Sequence, residues 1–546
     1  MASLNFKGKT AVWNHHLSVP YHTFDKDGKS SLSGKNESEN LIIEGDNLLA
    51  LKALLPNYQG KVKCIYIDPP YNTGNEGWVY DDNVNNPIIK SWIGETVGRE
   101  GEDLTRHDKW LCMMTPRLRL LRELLSEDGV IFVSIDNNEF ANLFNLLDEI
   151  FGYKNRVGNL IWRKKEGGGQ TDDYFVTEHE FIAVYKKSDS FVWNDEVIDD
   201  DGSGHTREDE SGKYKAVKLE KWGTGAKRSD RPTMYFAIKT PEGKSYFPVA
   251  PDGSEGRWRV GKKRMEDLID DNLVEWSLGK HDRLTPYEKV YFKEGDLKVL
   301  KERSILYEIA GTSEGTKQLT EIFSQKDVFD NPKPSLLIQF LIEHTSDKDS
   351  IILDSFAGSG TTAQAVLDLN KEDDSNRKFI LVQLPETLSA RAKARSAGYD
   401  YVHEITRDRV KKVIKKDNLN IGFTYYKLGP SIDGRNILEG KDLPTWENFA
   451  KYVYYLATGN PIDEVKQSNE NWEILSKTKS TGVYLIYKDN IDELKKLAIT
   501  RDWLEIVKSK AGRKIVYAPA CFLDKEVLDE HNISFVQIPF NLFKRG

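Results

Sequence analysis

The sequence predicts an α/β fold: a doubly wound, mostly parallel sheet delivered in two pieces, with an inserted domain between them and a small C-terminal α/β domain. Three observations predict it. Short apolar runs alternate with stretches of helical periodicity over residues 41–187. The alternation stops near 188 and resumes near 326. Two glycine- or proline-marked loops each follow directly on an apolar run. Alternating patterns of this kind pack as helices on both faces of a parallel sheet.

Residues 1–40 are polar and irregular and read as an N-terminal arm. Leu41-Ile42-Ile43 is a short strand, followed by Glu44-Gly45-Asp46-Asn47 and a helical pattern over Leu48–Leu55. Residues 62–67 form a buried strand that ends in Asp68-Pro69-Pro70-Tyr71. After a polar loop to about Glu102, residues 110–125 place Leu111, Met114, Leu118, Leu121 and Leu125 at helical spacing. Glu127-Asp128-Gly129 stops that helix, and residues 130–135 form another buried strand. A helix over 139–150 and strands over 157–162 and 181–185 complete a first piece, 41–187.

From 188 to 325 turn signals such as Asp201-Gly202, Pro241-Glu242-Gly243 and Pro251-Asp252-Gly253 predict an inserted, largely β or mixed domain. The second piece, 326–430, carries a helix over 335–343, a strand over 351–353, a helix over 362–369 and a strand over 379–382. Residues 431–546, with a helix over 446–458 and strands over 483–487 and 514–517, read as a separate C-terminal domain.

At 546 residues the chain is long for one core. Its 30% charged residues and mean hydropathy of -0.57 describe a soluble globular protein. No apolar run approaches the roughly 20 residues needed to span a bilayer. The N-terminal MASLNFKGKT has no apolar signal-like core, so export is not expected and a cytoplasmic location is. Cys64, Cys112 and Cys521 are far apart, which suits a reducing compartment and predicts no metal site. His107 and His179 read as helix-start and strand-edge residues. The net charge of -8 argues against a generic nucleic-acid coat protein, but residues 213–264 hold fourteen Lys and Arg against five Asp and Glu. A basic window in an acidic chain is the footprint of phosphate contact. Lys221, Lys227, Arg228, Arg231, Arg257, Arg259, Lys262 and Lys263 are its candidate DNA contacts, interleaved with Trp222, Tyr235, Phe236 and Trp258.

Asp68-Pro69-Pro70-Tyr71 supplies an acceptor carboxylate, carbonyls with no N–H at either proline and an aromatic face. That set suits a planar amino group such as the exocyclic amine of a nucleobase. It stands where a strand ends, the usual ligand side of open α/β sheets. The second loop, Asp354-Ser355-Phe356-Ala357-Gly358-Ser359-Gly360-Thr361-Thr362, joins a strand to a helix and permits close approach of a ligand to the backbone. It is not a P-loop, because no Gly-Lys-Ser/Thr follows. One strand later an acid would serve ribose hydroxyls; Glu386 is the candidate acid, although the neutral Gln383 sits closer to the strand end.

Together these motifs resemble a known family. Asp-Pro-Pro-Tyr upstream of Phe-x-Gly-x-Gly, with a long insertion between, is similar to the permuted order of β-class amino methyltransferases acting on DNA. Ile43–Leu48, Tyr66–Asn75, Trp78–Asn83, Pro116-Arg117-Leu118, Val133–Asp136, His179-Glu180-Phe181, Asn331–Pro334, Tyr452–Gly459 and Tyr517–Ala520 narrow the resemblance to Mod subunits of type III restriction–modification systems. It implies an S-adenosylmethionine-dependent methyltransferase fold in two pieces with a target-recognition domain over 188–325. It implies that Asp68 and the Pro69 carbonyl accept from the target amine, with Pro70 in the same motif and Tyr71 stacking on the base. Asp354, Phe356, Ala357, Gly358, Gly360 and Thr361 would line the cofactor pocket. Asp46 and Asn47 would approach the cofactor adenine, Lys333 its methionine end, and Glu386 or Gln383 its ribose. Double-stranded DNA, a second copy of the chain and a separate restriction (Res) subunit are the implied partners.

The residues suit that chemistry. The N6 amine of adenine is a poor nucleophile because its lone pair is delocalised into the ring. Two acceptors on its two hydrogens redirect that pair toward an activated methyl, so positioning and electrostatics suffice. No thiolate is needed, which disfavours ring-carbon methylation of cytosine. The expected activity is therefore adenine-N6 methylation of DNA after base flipping. Cytosine-N4 methylation by the same fold and a catalytically silent DNA-specificity subunit are the alternatives.

Overall fold

The structure, a computed structural model, describes residues 3–73, 105–167, 174–278, 283–389, 392–432, 434–462, 465, 473–474, 481–507 and 512–538. Two sequence signals, Gly74-Asn75 and Trp78–Asn83, lie outside the described residues. The chain divides into one unit made of Met1–Asn194 and Arg303–Gly546 and a second made of Asp195–Glu302.

The first unit is built on a ten-stranded sheet. In chain order its strands are β1 (His22–Lys26), β2 (Leu41–Glu44), β3 (Val62–Ile67), β4 (Leu125–Ile135), β5 (Arg156–Arg163), β6 (His179–Lys186), β7 (Ile305–Leu306), β8 (Ile351–Asp354), β9 (Lys378–Gln383) and β10 (Thr424–Ser431). Their order in space is β1-β10-β2-β9-β8-β3-β4-β6-β5-β7. From β10 to β4 every neighbouring pair is parallel. From β8 the chain winds to β9 on one side, and from β3 to β4 on the other. The crevice beyond the carboxyl ends of β8 and β3 is thus a topological switch point, where doubly wound sheets hold ligands.

The helices that matter for the site are α1 (Asn47–Tyr58), α2 (Arg106–Leu124), α3 (Phe140–Phe151), α4 (Thr312–Phe323), α5 (Ser335–Glu343), α6 (Thr361–Asp373), α7 (Val402–Lys416) and α8 (Trp446–Thr458). Alternate residues of the central strands enter two cores. Ile65, Ile67, Ile131, Val133 and Leu353 pack with Leu51, Trp110 and Leu147. Cys64, Tyr66, Val130, Phe132 and Ile352 pack with Leu341, Val366 and Val410. Burial on both faces explains why these strands read as unbroken apolar runs.

Domain limits differ from those drawn on the sequence. The arm over 1–40 contributes β1, which pairs with β10 at the sheet edge. The inserted unit is Asp195–Glu302 rather than 188–325. Residues past 302 return as β7, paired with β5, and as α4. Residues 431–546 carry their own four-stranded sheet (Glu473–Ile474, Thr481–Leu485, Arg513–Ala518, Ile533–Gln537). They do not stand apart, because Val483, Leu485 and Tyr487 join the core that holds Phe449 of α8 and Leu51 of α1. Among the described residues no helix is long and apolar enough to cross a membrane.

The inserted unit has a four-stranded sheet, ordered Val274–Leu278, Leu284–Tyr291, Gly212–Lys218, Arg207–Asp209 and antiparallel throughout. Its small core is Leu219, Ile238, Trp258, Met265 and Leu268.

Candidate active site

The turn after β3 is fixed from several sides. Trp110 donates its indole N–H to the Pro70 carbonyl at 2.7 Å. Asn72 takes a left-handed φ of 57°, which asparagine tolerates, and its side-chain amide donates to the Arg106 carbonyl at 3.1 Å and to Glu139. Glu139 is fully buried, bonds the His107 imidazole at 2.7 Å and accepts from Asn142 at 2.7 Å. His107 is the second residue of α2, and His179 opens β6 with its ring edge-on to Phe181.

Four charged groups and a phenol meet over this turn. Lys333 donates to Asp68 Oδ2 at 2.8 Å and to the Tyr71 hydroxyl at 2.9 Å, and stands 3.3 Å from Glu180 Oε2. The Tyr71 hydroxyl lies 2.7 Å from Asp68 Oδ1 and 3.0 Å from Glu180 Oε2. Lys164 donates to Glu180 Oε1 at 3.0 Å. The side chains of Lys333 and Glu180 are 10% and 9% exposed, and that of Asp68 is 28% exposed. Burial disfavours the Lys333 ammonium, but Asp68 and Glu180 outweigh it and hold the pKa above the usual lysine range. Burial works against the Glu180 carboxylate too, and the charges of Lys333 and Lys164 nonetheless lower its pKa. The Tyr71 phenol is pushed well up by burial, then by Asp68 and Glu180, so it stays protonated. A Cβ on Gly315 would fall 2.2 Å from the Pro332 carbonyl oxygen; only glycine lets α4 lie this close to the backbone that presents Lys333.

Across the crevice, β8 ends on buried Asp354. Its carboxylate accepts from the Phe356 N–H at 3.0 Å and the Thr362 hydroxyl at 2.5 Å, while burial raises its pKa to about 7. Gly358 and Gly360 have φ of 52° and 84°. At Gly360 a Cβ would also meet the Thr406 carbonyl oxygen at 3.0 Å. Three groups from outside the motif hold the loop. Gln383 accepts from the Gly358 N–H at 2.7 Å, and the Thr406 hydroxyl donates to the Gly358 carbonyl at 2.5 Å. Fully buried Arg409 donates to the Ser359 and Thr361 hydroxyls at 2.6 Å each. The Ser355 hydroxyl is buried with no hydrogen-bond partner among the described residues.

The remaining predicted pocket residues fall around this loop. The Thr361 hydroxyl donates to the Lys333 carbonyl at 3.3 Å, linking the two halves, and the Ala357 N–H donates to Val382. Asp46 caps α1, accepting from the N–H groups of Leu48 and Leu49, and faces buried Arg117 at 3.3 Å. Asn47 accepts from Arg117 Nε and donates to the Ser355 carbonyl at 3.0 Å. Between the two ribose candidates, Gln383 is the one bonded to the glycine loop, while the backbone of Glu386 bonds Leu384 and Val402 beyond β9. The structure brings Lys333 to Asp68 and Tyr71, 265 and 262 residues away in sequence. Sequence reasoning assigned no role to Glu180, Lys164, Trp110, Arg117, Thr406 or Arg409. For the first of these the signals were its place in the His179-Glu180-Phe181 motif and its position at the start of an apolar strand.

Within the inserted unit the predicted DNA contacts are mixed. Lys227 pairs with Asp252 at 2.7 Å, Arg228 with Glu255 at 2.9 Å and Arg259 with Glu288. Arg257 donates to the Gly225 carbonyl and so braces its own loop. Arg231, Lys262 and Lys263 are exposed, and Lys221 is half-buried. Of the interleaved aromatics, Trp258 is core and Trp222 is exposed.

The proline-marked turn after β3 and the glycine loop after β8 stand at the carboxyl ends of two neighbouring parallel strands. Residues 62–412 match the family model for DNA methylases (N6_N4_Mtase), and the chain belongs to that family. Its similarities within the family are narrower. It is 37% identical over 448 residues to the type III restriction-modification enzyme EcoPI Mod subunit of Escherichia phage P1, covering 76% of this chain and 68% of that one. It is 34% identical over 438 residues to the StyLTI Mod subunit of Salmonella typhimurium, covering 76% and 64%. It is also 32% identical over 423 residues to the type II methyltransferase M.KpnI of Klebsiella pneumoniae, covering 74% and 94%. The chain thus spans about two thirds of the Mod subunits and nearly all of the type II enzyme.

Proposed function

We propose that this chain transfers a methyl group from S-adenosylmethionine to N6 of an adenine in double-stranded DNA, as the modification and specificity subunit of a type III restriction system. The observation that carries this reading is the apposition of Asp68 and Tyr71 with the Gly358–Gly360 loop at the ends of adjacent strands. S-adenosylmethionine supplies a methyl group on a positively charged sulfur. The pocket residues fit it: the Ser355 hydroxyl is buried without a hydrogen-bond partner among the described residues, the Phe356 ring is half-buried, and two glycines bring backbone close. Asp354, Phe356, Ala357, Gly358, Gly360 and Thr361 would hold its nucleoside, with Asp46, Asn47 and either Gln383 or Glu386 beside them.

The chain's own groups do the rest. Asp68 and the Pro69 carbonyl accept the two amine hydrogens, and Tyr71 stacks on the flipped base, offsetting part of the lost duplex stacking. The poorly hydrated setting strengthens both acceptors. Residues Asp195–Glu302 read the target, and a second copy and a Res subunit are partners. A second reading, a type II methyltransferase acting without a Res subunit, is favoured by the near-complete span of M.KpnI.

Digesting DNA treated with the protein and labelled cofactor to nucleosides tests the reaction. N6-methyladenine is expected. N4-methylcytosine alone would overturn the base assignment, and no incorporation would leave a DNA-specificity subunit. Copurification with a helicase-nuclease subunit separates the type III reading from the type II one.

A further inference from the structure

Each oxygen of Asp68 already accepts a bond from within the protein, Oδ1 from Tyr71 and Oδ2 from Lys333. A carboxylate neutralised by an ammonium is a weak acceptor for a neutral amine, and it opposes the positive charge that builds on the nitrogen during transfer less well. The same two donors have a second acceptor within reach. Glu180 Oε2 lies 3.0 Å from the Tyr71 hydroxyl and 3.3 Å from Lys333 Nζ. Lys164 pins the other Glu180 oxygen at 3.0 Å and helps keep the buried group ionised. The phenol has one proton and can serve one carboxylate at a time. Lys333 and Tyr71 therefore stand between two carboxylates, closer to Asp68.

Resting on the functional reading above, we propose that Glu180 is a positioning residue that draws Lys333 and the Tyr71 hydroxyl off Asp68 when the target amine arrives. The shift is a few tenths of an ångström, breaks no covalent bond and leaves the cluster's charge unchanged. It loosens the hold of both donors on Asp68 and makes its carboxylate a stronger acceptor for the amine. Lys164 keeps Glu180 competent for the exchange.

The test uses the full chain, labelled S-adenosylmethionine and unmethylated amplified genomic DNA. Glu180→Gln is expected to slow single-turnover methyl transfer by at least about tenfold, the weight of a hydrogen bond to a charged group. Cofactor affinity and the half-saturating DNA concentration should move by less than about threefold, because the proposed role gives Glu180 no contact with cofactor or DNA. Glu180→Asp, which keeps the charge, should recover much of the rate. The decisive comparison adds Glu180→Gln to Lys333→Met. With the ammonium gone only the Tyr71 hydroxyl is left to draw away, so adding Glu180→Gln should cost clearly less there than in the wild-type background. An undiminished loss in that background, or a loss confined to cofactor or DNA binding, overturns the proposal. If Glu180→Gln alone fails to fold, the Lys333→Met background still decides, because a loss of about tenfold or more on adding Glu180→Gln there overturns the proposal. Wild-type protein that transfers no methyl group would sink the functional reading instead. An active wild type matched by Glu180→Gln sinks only the role of Glu180.

Discussion

Two sets of ion pairs in this molecule differ in their surroundings, which makes them different devices. At the ends of β3 and β8, Lys333, Asp68 and Glu180 are held at 10%, 28% and 9% exposure. In the inserted unit, Lys227–Asp252 and Arg228–Glu255 are 57%/49% and 48%/58% exposed. Charges that have lost their water depend on one another, and removing one strands the rest. Exposed pairs contribute little to stability and are screened by salt, so an arginine there can exchange a carboxylate for a phosphate at small cost. Buried charge fixes geometry, whereas exposed charge remains available to a partner.

The comparison breaks most visibly at Asp68. Asp68→Ala is expected to lower methyl transfer by about 10²–10³-fold, the scale of losing one preorganised polar contact at a reacting centre. Cofactor binding, read by equilibrium dialysis, should survive. Activity within tenfold of wild type would mean the buried cluster is structural only. A smaller effect is expected at Gly315, which touches no charge. Gly315→Ala drives a methyl group into the Pro332 carbonyl and should cost about 1–3 kcal/mol in a urea melt, with slower methyl transfer as Lys333 is displaced. An unchanged melt would show that α4 does not hold the lysine.

Acidity sharpens the contrast further. Burial raises the Asp354 pKa to about 7 from an ordinary 3.8, so the folded protein keeps a proton there that the unfolded chain releases. Asp354 therefore makes stability fall as pH climbs from about 4 to about 7, with no further change above that. Asp354→Asn should flatten this part of the profile in urea melts of cofactor-free protein; a slope equal to wild type would place the titration elsewhere. The smallest effect belongs to the exposed unit. Arg228→Ala should leave the melting temperature essentially unchanged while reducing the salt dependence of DNA binding by about one phosphate contact. A large fall in melting temperature with unaltered DNA binding would reverse the roles assigned to the two regions.

Much of the fold was legible because the central strands are buried on both faces. Residues 62–67, 130–135 and 379–382 stand out as apolar runs that turn signals bound. Edge strands carry no such signal: β1 buries one of its five residues, and β7 has only two. That is why the arm and the end of the insertion were drawn elsewhere. The proposed catalytic turn and glycine loop were legible as local motifs. Their supports were not, since each depends on contacts distant in sequence. Arg117 sits in a helix where a solvent-facing cation would be ordinary, and its burial is met by Asp46, Asn47 and the Met113 carbonyl. Glu180 reads as the polar start of a strand until Lys333, Lys164 and Tyr71 surround it.

The position of β8 between β9 and β3 also bears on how the chain is made. β3 is synthesised early, yet one of its two partners emerges only at residue 351. Until then the first piece presents an open, apolar strand edge, a pairing hazard for any nascent chain. Asp68 and Lys333 likewise cannot meet before the second piece leaves the ribosome. A truncated product ending within the insertion would lack both the ammonium and the glycine loop. Transfer chemistry is thus withheld until translation has passed the segment expected to choose the DNA, so no partial chain can methylate without a complete reader.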